Sequence, residues 1–406
     1  MSLLDRLQRK MSTHELFKEL FGSTLSATGK TVNWKTAMEV TTWLACGRVI
    51  AEGIAQVPFK VFQEREDGTR LPAKDDSLYD VLQLRPNFYQ TSFEYRETLA
   101  LHLVFTGNHF SFINRAGGEI RELIPFEPQH VEVKRATTGE LSYKVTPENG
   151  QPMEFPAEAI WHIRGPSWNG YLGLEPVKLA REALGLAMAT EEAAARLHQH
   201  GAKVGGLLSV EGNLSDEKYE QLRKWVASNF EGAKNSGRTM ILDRAAKFTA
   251  AQHSPVDAQH LETRRYQVEE ICRAARVMPI MVGYSDKATT YASAEQMFLA
   301  HVVHTLAPWY QRIEQSAGVN LLTEKKRRQG LYTKFVEEGL LRGSMKDTKD
   351  TILGYVNGGI LTPNEGRALL ERNPDADSAS DKLRIPANIT GSVPDGDEPP
   401  PPKKEE

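Results

Sequence analysis

Cysteine is nearly absent. Cys46 and Cys272 are the two thiols in 406 residues, and both stand in helix-patterned apolar surroundings. That argues against a disulfide framework and suits a reducing compartment. Long apolar runs are missing too: the richest stretch, near Trp43–Ala55, is interrupted by Arg48 and Glu52, which excludes a membrane span. The opening Met1-Ser-Leu-Leu-Asp-Arg6 carries charge where a secretory leader needs an apolar core, so no leader is expected. Nor is there an excess of positive charge. A formal net charge of −3 argues against a protein that clamps nucleic acid by bulk attraction, since such proteins are usually basic. It leaves room for one past which a polyanion slides.

Catalytic spacing is equally scarce. Gly29-Lys30-Thr31 resembles the end of a phosphate-binding loop, but Thr24 stands where the first glycine is required and no strand precedes it. A flexible arm is the better reading. Ser215-Asp-Glu-Lys218 has the Ser-x-x-Lys spacing of some acyl-enzymes, yet a serine at a helix start is explained by capping. His198 and His200 face different sides of a helix, while His301 and His304 are neighbours on one face and read as interface packing rather than metal ligands. Lys325-Lys-Arg-Arg328 reads as a solvated loop ahead of a strand, with a phosphate contact as the alternative. Glu269-Glu270 and Glu337-Glu338 are adjacent in sequence, so on a helix they point apart and form no acid/base pair.

What is present is architecture. At 40% hydrophobic and 25% charged residues, the chain can bury cores in two or three domains. Trp34–Val57 is patterned as an amphipathic helix with Val40, Trp43, Ile50, Ile54 and Val57 buried. Phe59–Gln63 alternates like a strand before the turn Glu66-Asp-Gly-Thr69, and helices are expected at Ser77–Leu84 and Thr91–Phe105. The period then switches to two, predicting strands at His109–Asn114, Glu119–Pro125, His130–Arg135, Leu141–Val145 and Ala159–Ile163. The first part of the chain is therefore an α+β domain with an antiparallel sheet.

Pro176 opens an alanine-rich helix to about His200, ended by Gly201, a rod of roughly 37 Å at 1.5 Å per residue. A compact βαββ insert follows: a strand at Val204–Val210, a helix from Ser215 to Phe230 with Leu214 and Tyr219 placed as a hydrophobic staple, and strands at Arg238–Asp243 and Lys247–Ala250. A second long helix spans Asp257–Val277, with Leu261, Val268, Cys272 and Ala275 on one stripe. Met278-Pro-Ile-Met-Val-Gly-Tyr284 breaks it, a polar loop Ser285–Thr290 follows, and another helix from Ser293 places Leu299, Val302, Leu306, Trp309 and Ile313 at helical spacing. A strand at Tyr332–Val336 and helices at Leu340–Tyr355 and Pro363–Arg372 complete the pattern, before a Ser/Asp/Pro-rich tail from Asp375 that lacks the apolar area to order itself.

The order of several motifs resembles the HK97-like family of bacteriophage portal proteins. Arg85-Pro-Asn87 with Gln90-Thr-Ser-Phe-Glu94 is similar to the family's early helical segment, Gly107-Asn-His-Phe110 to its entry into strands, and Gly170-Tyr-Leu-Gly-Leu-Glu-Pro176 to its entry into the stem helix. Leu261-Glu-Thr-Arg-Arg265, Glu269-Glu-Ile271 and Arg276-Val-Met-Pro-Ile-Met-Val-Gly283 form the most specific stretch, and Pro363-Asn-Glu365 with Arg367 resembles the late helix start.

The resemblance implies an α+β portal-type fold in eight segments. These are a flexible arm (1–33), an α+β wing (34–175), stem helix 1 (176–203), a clip (204–255), stem helix 2 (256–277), a tunnel loop and helix returning to the wing (278–345), crown helices (346–374) and a disordered tail (375–406). It implies a homo-oligomeric ring of about twelve copies at one capsid vertex, through which double-stranded DNA is packaged and ejected without sequence preference. The expected partners are the terminase large subunit, a head–tail adaptor and the major capsid protein, with no membrane, cofactor, metal or catalytic residue. Ser285, Asp286, Lys287, Thr289, Thr290 and Tyr291 would face DNA, and Pro279 and Gly283 would act as a hinge. Arg264, Arg265, Glu269 and Arg273 would belong to the stem, and Tyr219, Trp225 and Arg238 to the partner-docking clip. Pro308 should kink the tunnel helix. The implied setting is the virion, after assembly in the host bacterial cytoplasm. A ring adaptor that carries no DNA is the alternative, and a hydrolase the remote one.

Overall fold

The computed structural model describes residues 24–199, 207–210, 215–230, 246–249, 254–284, 291–337, 345–370 and 372–384. The chain mixes helix and sheet and divides into two compact units, Met1–Phe335 and Val336–Glu406. In the first unit the helix expected at Trp34–Val57 is two helices, α1 (Trp34–Glu39) and α2 (Thr41–Ala55), separated by Val40 in an extended conformation. Asn33 and Thr36 cap α1 reciprocally, which fixes its start but leaves it too short to run on alone. All five residues of the expected apolar stripe are buried. After α2, the strand β1 (Phe59–Glu64) turns through Gly68 into β2 (Arg70–Pro72). Helices α3 (Ser77–Gln83) and α4 (Ser92–Thr106) follow.

Thr91 and Glu94 form a capping box at the start of α4, and Gly107 ends it with φ +74°. That conformation suits glycine, and a Cβ here would overlap the Leu174 carbonyl. Helix α4 lies across α2, with Trp43 set edge-on to Phe105 at 6.3 Å. Buried Ile50, Ile54, Leu99 and Leu103 fill the crossing, each worth about 1.5–3 kcal/mol relative to exposure. Arg96 is buried there with no carboxylate partner among the described residues; its Nε and Nη2 donate to Ala55 O at 3.1 and 2.7 Å, capping the end of α2. Burial pushes its guanidinium down to about 10.

Six strands follow, not five: β3 (Asn108–Ala116), β4 (Glu119–Phe126), β5 (Val131–Arg135), β6 (Leu141–Val145), β7 (Met153–Pro156) and β8 (Ile160–Arg164). Every pair is antiparallel, but the expected single sheet is two, ordered β4-β3-β8 and β5-β6-β7. Phe110, Tyr143 and Ile160 form the core between them, with Phe112, Phe126 and Phe155 packed around.

The long helix from Pro176 is interrupted at Ala180, giving α5 (Pro176–Leu179) and α6 (Arg181–Gln199). Strand β9 (Leu207–Val210), helix α7 (Asp216–Phe230) and strand β10 (Ala246–Thr249) come next, with β9 and β10 paired antiparallel. Leu214 and the strand expected at Arg238–Asp243 lie outside the described residues. Helix α8 (Ser254–Ala275) leads to α9 (Tyr291–His301), a π-turn at Val302–Leu306, α10 (Ala307–Asn320) and α11 (Glu324–Arg328).

Strand β11 (Leu331–Phe335) then pairs with β1, making a third sheet ordered β11-β1-β2. Phe59 stacks on Phe335 at 4.4 Å across that pairing. The basic run at 325–328 is a helix rather than a loop, and Lys325, Arg327 and Arg328 on it are exposed as expected of a solvated segment. Lys326 bonds Asp76 at 2.7 Å and Glu119 at 2.8 Å, and Arg327 Nη1 donates to the carbonyls of Gly318, Val319 and Leu322.

The expectation of a flexible arm through residue 33 is corrected for its described part. Leu25 and Thr31 close a small loop, with Gly29 at φ +77° in its turn, that lies on α6. Ala27 N–H donates to Glu182 at 2.9 Å, Thr28 Oγ1 to Gly185 O at 3.0 Å, and Lys30 pairs with Glu192. With its lysine so engaged, Gly29-Lys30-Thr31 is a turn, not a phosphate loop.

In the second unit, α12 (Met345–Asn357) packs on α13 (Pro363–Leu369), where Gly366 allows Ile352 and Val356 to approach. Order extends past Asp375, contrary to a disordered tail beginning there. Asn364 Nδ2 donates to Asp375 O at 3.1 Å and Asp381 Oδ1 at 2.6 Å, and its Oδ1 accepts from Asp375 N–H at 2.7 Å. These bonds hold a 3₁₀ turn at Ser378–Asp381.

Candidate functional site

The chain runs into the β9–α7–β10 module through α6 and returns through α8, and these two helices lie side by side. Gln267 Nε2 bonds Thr190 Oγ1 across them at 2.9 Å. Ile271 and Cys272 on α8 are buried against α2. The outer surface is mixed: Glu262, Arg264, Arg265 and Arg273 are exposed, while Glu269 and Glu270 are half-buried. Alternating signs on such a face give a solvated helix rather than a polyanion clamp.

Helix α8 ends at a sharp reversal. Arg276 has φ +56°, the one non-glycine residue in the left-handed region among the described residues, at a cost of about 1–2 kcal/mol. Val277 N–H bonds back to Cys272 O at 2.9 Å, and Thr305 Oγ1 donates to Arg276 O at 2.7 Å, tying the helix end to the π-turn. Pro279 starts a 3₁₀ turn to Val282 and Gly283, at φ +78°, closes it. Both residues named as the hinge thus stand at the two ends of one short turn.

The irregularity expected at Pro308 lies just ahead of it. Proline has no N–H for His304 O and its ring would crowd that carbonyl. The preceding helix widens instead, and Ala307 N–H bonds Val302 O. The wider turn also separates the two histidines expected on one face. His301 is buried, held below its ordinary pKa by desolvation, and its Nδ1 has no partner among the described residues. His304 is exposed. Val302, Leu306 and Ile313 are buried as expected, whereas Leu299 is 50% exposed, beside exposed Met297 and Phe298.

Ser285, Asp286, Lys287, Thr289, Thr290 and Arg238 lie outside the described residues, and Tyr291 is the first residue of α9. On α7, Tyr219 and Trp225 are exposed on one helix. Leu186 on α6 and Tyr266 on α8 are exposed apolar residues too. Among the described residues no group of His, Cys, Asp and Glu could hold a metal ion, and no helix is long and apolar enough to cross a membrane.

One cluster escaped the reading of histidines by spacing. His102 and His109 meet Nδ1 to Nδ1 at 3.1 Å, and His109 Nε2 lies 2.9 Å from Ser111 Oγ, which lies 2.7 Å from Tyr95 OH. His162 sits 3.2 Å from Tyr143 OH and 3.1 Å from Asn108 Oδ1. A serine beside an imidazole looks like a nucleophile and its base. Here both are 0% exposed, so the contacts are structural, filling the hydrogen-bonding needs of a polar core. Burial holds all three imidazoles low, His102 at about 4 and His162 at about 3. The packing of α4 on β3 brings Tyr95 and His102 to His109 and Ser111, and the pairing of β3 with β8 brings His162 to Asn108.

The model of the family described as phage portal protein matches residues 41–371. The probable portal protein of Streptomyces phage phiC31 is 30% identical over 390 residues, covering 93% of this chain and 83% of its own. The portal protein of Enterobacteria phage HK97 is 28% identical over 342 residues, covering 83% and 79%. Among solved structures, a chain in the neck of a native gene transfer agent particle computed with C12 symmetry has TM-score 0.58 at 22% identity, covering 89% of this chain and 99% of that one. An HK97 family phage portal protein from Corynebacterium diphtheriae has TM-score 0.53 at 18% identity, covering 76% and 96%. The family match spans α2 through α13 and so takes in the three three-stranded sheets, the paired long helices, the module between them with its β9–β10 pair, and the reversal: the chain belongs to the phage portal protein family.

Proposed function

We propose that this chain is the subunit of a portal ring, set at one capsid vertex, through which double-stranded DNA is packaged and later ejected. The observation that carries the reading is the family match over 41–371. The exposed apolar side chains on α6, α8 and α9 support it, because such patches on a soluble chain mark contact surfaces. Residues 34–175 serve as the wing, α5–α6 and α8 as the stem, and the β9–α7–β10 module as the clip. The reversal and the segment through α10 act as tunnel loop and helix, α12–α13 as the crown.

A ring needs a heterologous contact that closes on itself, which two long helices beside lateral sheets provide. A channel must hold DNA without trapping it. The mixed charge on α8 and the near-neutral loop Ser285, Asp286, Lys287, Thr289, Thr290 and Tyr291 keep phosphate contacts few and screened by salt. Pro279 and Gly283 bound the turn that would let this loop move. Tyr219, Trp225 and Arg238 offer the clip's contacts to the terminase large subunit and then to the head–tail adaptor, while the wing meets the major capsid protein. The role is structural, and ATP hydrolysis belongs to the terminase. Replacing residues 280–292 with a Gly/Ser linker should leave assembly intact and abolish DNA packaging or retention; unchanged packaging would refute the tunnel role.

A further inference from the structure

The two cysteines of this chain stand 226 positions apart, yet they meet. Cys46 on α2 and Cys272 on α8 are both fully buried, and Cys46 Sγ donates to Cys272 Sγ at 3.8 Å, a van der Waals contact between sulfurs. No third thiol exists in the sequence to compete with either. Cys272 lies in the last turn of α8, and its carbonyl accepts the Val277 N–H that closes the helix beside the reversal. A disulfide needs the sulfurs at about 2.05 Å, so closing the pair requires them to move together from 3.8 Å.

We propose that Cys46 and Cys272 are an oxidisable dithiol that closes into an intramolecular disulfide when the chain meets a peroxide, stapling the end of α8 to α2.

The hydrogen bond assigns the two sulfurs different parts. Cys46 Sγ is the donor and Cys272 Sγ the acceptor, so the contact favours a thiolate on Cys272, which takes the attacking part. Its sulfur attacks the peroxide O–O bond, giving a Cys272 sulfenic acid and hydroxide, which takes the Cys46 proton and leaves as water. The Cys46 thiolate then attacks the Cys272 sulfur. The S–O bond breaks, and the second hydroxide leaves as water with the proton that Cys272 lost earlier. Two thiols are oxidised by two electrons, and one hydrogen peroxide is reduced to two waters. The staple would fix the last turn of α8 on α2 and hold the reversal that follows it.

The test treats the folded full-length chain with hydrogen peroxide, then alkylates it in denaturant and maps the peptides. Both thiols should be lost together into a Cys46–Cys272 linkage within one chain, restored by dithiothreitol, and the oxidised chain should unfold at higher urea concentration. In Cys46→Ser, Cys272 should accumulate as a sulfenic acid trapped by dimedone, whereas in Cys272→Ser the Cys46 thiol should survive. Circular dichroism establishes that both variants are folded. Thiols that stay alkylatable in the peroxide-treated folded chain, linkages between chains, an unchanged urea midpoint, or a Cys46 that reacts equally in Cys272→Ser would each overturn the proposal.

Discussion

Two glycines show why the same backbone angle costs differently in different places. Gly107 and Gly68 both have positive φ, but a Cβ at Gly107 would overlap the Leu174 carbonyl, while one at Gly68 meets nothing. Gly68→Ala should therefore cost only the left-handed penalty of about 1 kcal/mol, and Gly107→Ala on the order of 3 kcal/mol or more. Urea unfolding of the two variants checks this, and equal losses would refute it. Two buried histidines and the half-buried His102 beside them carry a second prediction. His102, His109 and His162 are neutral when folded and regain an ordinary pKa of about 6.5 when unfolded. Between those values the unfolded chain binds more protons, so stability falls as pH falls below about 6.5, by on the order of 1 kcal/mol per pH unit for each histidine. The groups facing them are one another, Arg164, Tyr95, Tyr143, Ser111 and Asn108. Urea midpoints at pH 7 and pH 5 should differ, and His162→Gln should shrink that difference; a flat profile would exclude the effect.

Elements were legible where their signals were local. The Thr91–Glu94 capping box and Gly107 bound α4, and Gly68 marks the β1–β2 turn, because each depends on neighbours in sequence. Elements made by distant partners were not. Strand β7 is four residues long and exists by pairing with β6, so Met153-Glu-Phe-Pro156 has no alternation of its own. The loop at 24–32 looked like an arm because its anchors, Glu182, Gly185 and Glu192, lie on a helix more than a hundred residues away. The ordered start of the tail is the same kind of case. Its composition predicts disorder, but Asn364 supplies three hydrogen bonds that composition cannot reveal. Asn364→Ala should release residues 372–384 while leaving α12 and α13 formed. Hydrogen exchange should then become fast in that segment alone, and unchanged protection would show that other contacts hold it.

For the whole molecule, the question is which surfaces the chain hides from water by assembling. Local chemistry could never have settled this, since Leu186 and Tyr266 fit a helical pattern whether a neighbouring copy covers them or not. Their exposure in the single chain, 39% and 56%, is the informative fact, since it leaves apolar area on the two helices that flank the module. Leu186→Glu with Tyr266→Glu should leave the isolated chain folded, because exposed substitutions cost within about 0.5 kcal/mol. In a closed ring the same two carboxylates would be buried at every interface, and each copy would repeat the penalty of an unpaired charge. Native mass spectrometry and electron microscopy should find closed rings of the unaltered chain and folded monomers of the double variant. If the variant closed rings as readily as the parent, α6 and α8 would not form the seam, and the contact would have to be sought at α9 and the π-turn after it, where Met297, Phe298 and Leu299, and then Val303, are also exposed.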